Sequence, residues 1–159
     1  MPVSGTRASL ALLIDTNVVL DVILMRHPWA TEAVQVLDAI SRGVARGFIA
    51  AHAVTTIYYI VEKERGRATA VTAVGDVLQI LTVVPIGAPE FQRALAMGLP
   101  DFEDSVQAAC CLVAGADFVV TRNDKDFKDA PVETRMPGEI LGMFAGSPSR
   151  DTPSTRPVS

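Results

Sequence analysis

The sequence predicts an α/β fold of three layers, α/β/α, built on a central, mostly parallel sheet. Three observations predict it. Short apolar or β-branched runs alternate with stretches of helical periodicity, the pattern of strands joined by helical crossovers. The first such run, Leu12-Leu13-Ile14, ends on Asp15 and two small polar residues, Thr16-Asn17. A buried strand of that kind delivers its last residue to the carboxyl edge of a sheet, where open α/β sheets bind ligands. The chain's 159 residues, 49% hydrophobic, suit one domain with an ordinary core.

The elements follow in order. A strand is expected at 11–15 and a helix at 18–25, which Pro28 breaks. Over 29–41, Ala33, Val34, Leu37 and Ile40 form a helical stripe. Gly43 and Gly47 bracket the exit into a short second strand, Phe48-Ile49-Ala50. A helix over 53–64 stops at Gly66, and another runs over 67–81. The β-branched run 82–86 reads as a third strand. A helix over 89–97 ends at Gly98, and the small-residue helix 101–114 ends at Gly115, a glycine C-cap. Residues 117–121 read as a fourth strand, Val132 as the start of a fifth, and 137–144 as a last helix. Residues 1–9 are expected to be a flexible N-terminus, and 10–145 the folded domain. The Gly-, Ser-, Pro- and Thr-rich stretch 146–159 is expected to be a disordered tail.

Composition removes several function classes. No apolar run is long enough to span a bilayer, and no secretory leader is separable from the fold. Cys110 and Cys111 are the only cysteines. Neighbours in a helix point in different directions, so a disulfide framework is not expected and a reducing cytoplasm is. The net charge of −4 argues against nucleic-acid binding by the whole surface. A carboxylate cluster holding a divalent cation would reverse the sign locally.

The acids are the chemistry-bearing residues. Asp15 or Asn17 can be read as a helix N-cap. Asp101 and Asp104 can be read as a cap and a dipole-complementing acid, and their spacing puts both on one helix face. The run Thr121-Arg122-Asn123-Asp124-Lys125-Asp126-Phe127 can be read as a turn with Phe127 packing back. Each reading is adequate alone. Jointly, three acidic groups at three element tips point to one shared site for a hard cation with oxygen ligands. Among rival chemistries, His27 and His52 would serve a metal-free acid–base pair, though surface or capping roles are expected of both. Neither histidines nor cysteines fall at zinc-ligand spacing. A haloacid-dehalogenase-like phosphatase would want Asp or Thr where Asn17 stands. A phospho-receiver would need a second acid after the first strand and a phospho-accepting Asp after a middle strand.

Asp15-Thr16-Asn17 after a strand, Asp101-Phe102-Glu103-Asp104 opening an alanine-rich helix, and the 121–127 run together resemble the PIN domain family, from about Leu12 to Phe144. Many small members are VapC-type toxins. The resemblance implies a metal-dependent endoribonuclease using Mg2+ or Mn2+, with an RNA substrate, an antitoxin partner and possible homodimerisation. It implies Asp15, Asp104 and Asp126 as metal-binding catalytic acids, supported by Asn17, Asp101, Thr121 and Asn123. Arg122 and Lys125, with Lys128, would hold phosphates. Two departures accompany it. The family often has Asp where Asn123 stands. It usually has a glutamate on the helix after the second strand, where this chain offers Thr55 or Thr56 and no acid before Glu62. The alternative they leave open is an inactive PIN-like module that binds RNA or protein.

Overall fold

The computed structural model describes residues 9–146. Of the expected flexible terminus (1–9) and tail (146–159), residues 1–8 and 147–159 lie outside the described residues. Within them the order is β1 (Ala11–Ile14), α1 (Thr16–Ile23), α2 (Ala30–Ser41), β2 (Arg46–Ala50), α3 (Ala51–Arg65), α4 (Arg67–Ile80), β3 (Thr82–Val84), α5 (Ala88–Met97), α6 (Phe102–Ala114), β4 (Phe118–Val120), β5 (Thr134–Arg135) and α7 (Pro137–Ala145). A one-turn 3-10 helix, Asp124–Phe127, lies between β4 and β5.

The sheet runs β3-β2-β1-β4-β5 and every pairing is parallel. β1 is central, with Leu12 between Gly47 and Phe118 and Leu13 between Phe48 and Val119. All four of its residues are buried, so its sequence shows no alternation. From β1 the chain steps outward to β2 and β3, then returns past β2 and β1 to β4. Right-handed crossovers taken in opposite directions place their helices on opposite faces. Accordingly α6, backed by α5, packs on β1, β2, β3 and β4, while α1, α2, α3, α4 and α7 pack on one another. The core runs through both layers, from Val18, Val36 and Ile57 on one side to Val106 and Ala109 on the other.

Three sequence expectations shift. The third strand ends at Val84, because Pro85 has no N–H to extend the ladder. Gly47 lies inside β2 rather than before it. The α6 helix, whose sequence beyond its first acids is nearly apolar all round and so predicts full burial, is buried only as far as Cys111, with Leu112 and Val113 exposed. Its thirteen residues rise about 20 Å, while a four-residue strand covers about 13 Å, so the helix outruns the sheet.

Candidate metal centre

The chain reverses direction between β1 and β4, so the ends of these neighbouring strands open the crevice that such sheets use for ligands. Asp15 follows β1 in extended backbone, and its N–H donates to the Val120 carbonyl at 3.0 Å. It stands at the N-cap position of α1, yet its side chain caps nothing. Instead Asp15 Oδ2 accepts the Thr121 hydroxyl at 2.9 Å, and that hydroxyl oxygen accepts the Asn123 N–H at 3.1 Å. Thr121 is fully buried and Asp15 nearly so. Burial raises the Asp15 pKa above the usual carboxylate value, and the Thr121 hydrogen bond opposes that rise.

Across the crevice α6 begins. Asp101 is its cap: Oδ1 accepts the Asp104 N–H at 3.2 Å. Capping does not exhaust its role, because Asp101, Glu103 and Asp104 all line one cleft with Asp15. Asn123 and Asp126 close it from the 3-10 turn, Asn17 from α1, and Thr56 and Ile60 from α3. The cleft holds about 260 Å³. Asp104 is pushed up to about 7, first by burial and then by the charges of Asp101, Asp15, Asp126 and Glu103. Crowding of this kind is typical of functional carboxylates. A larger apolar groove of about 600 Å³, between α1, α2 and α4, lies away from these acids.

The donor set suits a hard divalent cation: carboxylates, two side-chain amides and the hydroxyls of Thr16 and Thr56, with no sulfur or imidazole lining the cleft. Among the described residues no three His, Cys, Asp or Glu side chains close into a ligand cage. The fit is therefore to an ion held by one or two carboxylates and completed by water, the usual habit of Mg2+.

Asp15, Asp104, Asp126, Asn17, Asp101 and Asn123 are thus brought together, with Thr121 directly behind Asp15. Arg122, expected from the resemblance to hold phosphate, has an ion-pair partner in this structure. Its guanidinium turns toward α1 and pairs with buried Asp21 at 2.9 Å, so its charge is already engaged. Lys125 is exposed on the 3-10 turn.

Sequence reasoning gave Glu103 and Gln107 no role, left Thr55 and Thr56 undivided, and expected a surface or capping role of His52. Glu103 lines the cleft, although it was visible as the third acid of its cluster. Thr56 lines the cleft and the exposed Thr55 does not, although both hydroxyls donate to the His52 carbonyl, at 3.3 and 2.9 Å. Gln107, almost fully buried one turn after Asp104, donates to Thr16 Oγ1 at 3.1 Å. His52 is neither a surface residue nor a cap. It is half-buried, 3.5 Å from Glu103, with burial pushing its pKa below the ordinary imidazole value.

A family profile described as the PIN domain matches residues 11–125. Ribonuclease VapC1 of Aquifex aeolicus (strain VF5) is 25% identical over 130 residues, covering 77% of this chain and 87% of that protein. Among solved structures, VapBC2 from Rickettsia felis, bound to a DNA fragment from their promoter, aligns with a TM-score of 0.65. It is 17% identical and covers 80% of this chain and 98% of that one. Mycobacterium tuberculosis VapC20, a sarcin–ricin loop cleaving toxin, aligns at 0.59, with 13% identity and coverage of 71% and 91%. At these identities the structural likeness is one of fold.

Proposed function

The chain belongs to the PIN domain family, and from that premise we propose that it is a divalent-cation-dependent endoribonuclease, the toxin of a toxin–antitoxin pair. The observation that carries this reading is the meeting of Asp15, Asp104 and Asp126 in one cleft at the sheet's carboxyl edge. Ribonuclease VapC1 among the relatives and VapBC2 among the structural neighbours support the RNA substrate and the antitoxin partner. Family membership sets aside the phosphatase alternative.

Asp15 and Asp104 would hold the cation, with Asp126 beside them. A divalent cation, when bound, supplies Lewis acidity toward a phosphoryl oxygen and toward an attacking water. The chain's own work is orientation. Thr121 holds one oxygen of the Asp15 carboxylate, which lines the cleft. Asp101 fixes the start of α6 and so the position of Asp104. Thr56 offers a hydroxyl where the family usually has a glutamate, so the site carries less negative charge and suits one cation better than two. With Arg122 engaged elsewhere, Lys125 and Lys128 are the phosphate contacts next to the cleft. A second reading, binding without cleavage, is favoured by the same Thr56 and by Asn123.

Cleavage of a mixed RNA pool with Mg2+, Mn2+ or EDTA separates the two. The nuclease reading expects cation-dependent cuts that leave 5′-phosphate and 3′-hydroxyl ends. It expects Asp15→Asn and Asp104→Asn each to abolish cleavage with the fold intact. Cuts that survive EDTA and leave 2′,3′-cyclic phosphates would instead implicate a histidine mechanism. Full activity in either variant would sink the ligand assignment.

A further inference from the structure

Arg122 stands between Thr121, which holds Asp15, and Asn123, which lines the cleft. Its side chain leaves the site. Nε lies 2.9 Å from Asp21 Oδ2, an ion-pair approach poorly aligned as a hydrogen bond, and Nη2 donates to Asp21 Oδ1 at 3.5 Å. The guanidinium carbon sits 4.0 Å from the centroid of the Trp29 ring. Asp21 is 1% exposed, and Arg26 approaches it at 3.8 Å. Asp21 lies on α1, the helix that Asp15 precedes, so the pair ties the exit of β4 to the helix leaving β1. Those are the two segments that meet at Asp15.

Burying a carboxylate is costly, and a buried ion pair is weak evidence of stability, since apolar residues of similar size often do as well. Fixing a geometry is the better-founded use for such a pair. The partner has to be arginine, because a planar fork that also stacks on an indole is something lysine cannot supply. We propose that Arg122 is a positioning residue, anchored by Asp21 and Trp29, that fixes the Thr121–Asn123 turn and through it the Asp15 carboxylate. The kinetic consequence rests on the nuclease reading; the structural consequence does not.

Two measurements on the whole chain test this with Arg122→Gln, Arg122→Lys, Asp21→Asn and the Asp21→Asn/Arg122→Gln double variant. The first is amide hydrogen exchange in the absence of metal. Exchange should accelerate at Asn123 and Asp15 in every variant and stay unchanged at Ala109 in α6. The second is steady-state RNA cleavage. Each single variant should lose about 10- to 100-fold in kcat, the scale of a small misplacement at a reacting centre. KM should hold within about twofold. The double variant should be no worse than either single one, and Arg122→Lys should not rescue. A raised KM at unchanged kcat for Arg122→Gln, with Asp21→Asn behaving as wild type, would make Arg122 a phosphate contact and overturn the proposal. Unchanged exchange at Asn123 and Asp15 would overturn it as well. If the wild type cleaves no RNA, the nuclease reading falls and the exchange data alone decide the positioning role. Should Asp21→Asn fail to fold, Trp29→Leu, which removes only the stack, replaces it with the same expected pattern.

Discussion

Asp104 sits where two electrostatic demands conflict. As an acid in the first turn of α6 it complements the helix dipole, a gain of about 0.3–1 kcal/mol. As one of several carboxylates in a half-buried cleft it resists ionisation, and its pKa is pushed up to about 7. A carboxyl group whose folded pKa lies above its unfolded value binds protons more tightly in the folded state. Its contribution is complete below pH 4 and is lost as pH rises through about 7. Metal-free wild type should therefore lose stability between pH 5 and 8. Metal-free Asp104→Asn should be flatter across that window and, at pH 8, equally or more stable. Thermal melts at a series of pH values in EDTA measure this. A variant that is weaker than wild type at pH 8 would mean that the dipole term wins and that Asp104 is a helix-stabilising acid only. The acids themselves were legible in the sequence because short polar clusters at element tips stand out against apolar runs. The pairing of Arg122 was not legible, because nothing local to it shows Asp21, about a hundred residues earlier, as its partner.

Helices and strands show how local chemistry and packing divide the work. Glycine stops were readable: Gly66, Gly98 and Gly115 all take positive φ at helix ends. Gly47 was not, because its constraint is tertiary. A Cβ there would meet Leu81 Cδ2 at 2.6 Å and Ile40 Cγ2 at 2.8 Å. Gly47→Ala should cost about 1–3 kcal/mol, the usual range for overpacking. A urea midpoint within error of wild type would show that the two side chains yield freely. At the start of α6, Asp101→Ala removes a cap worth about 0.5–2 kcal/mol. It also removes one of the charges crowding Asp104. The loss should therefore be larger at pH 5, where Asp104 is protonated, than at pH 8, where relief of repulsion offsets part of it. Equal losses at both values would mean that the two acids do not interact.

On the scale of the whole molecule, the fold holds mutually repelling groups at one edge, and a ligand that offsets their charge should stabilise it. A cation that binds only the folded state at a hundred times its Kd adds about 2.7 kcal/mol. For a domain of this size that raises Tm by roughly 5–10 °C. Mn2+ should produce such a shift in wild type and a much smaller one in Asp15→Asn, with EDTA reversing it. Equal shifts in both proteins would place the ion elsewhere. Among the described residues no helix is long and apolar enough to cross a membrane, as the hydropathy pattern implied.

The alternation of strands and helices, the glycine stops and the acids at three element tips are all legible in the amino-acid order. These are properties of short windows, set by periodicity, backbone freedom and side-chain charge. Which tips meet is a matter of strand order and helix packing. The order β3-β2-β1-β4-β5 puts Asp15 beside Thr121 across 106 residues of chain and brings α6 and the 3-10 turn over both. Tertiary packing also decides that Thr56 rather than Thr55 lines the cleft, and that Arg122 belongs to Asp21 and Trp29. The physical reason is that a carboxylate's pKa, a hydroxyl's partner and a guanidinium's allegiance depend on burial and on charges only a few ångströms away. Those neighbours come from distant parts of the chain, so no local window contains them.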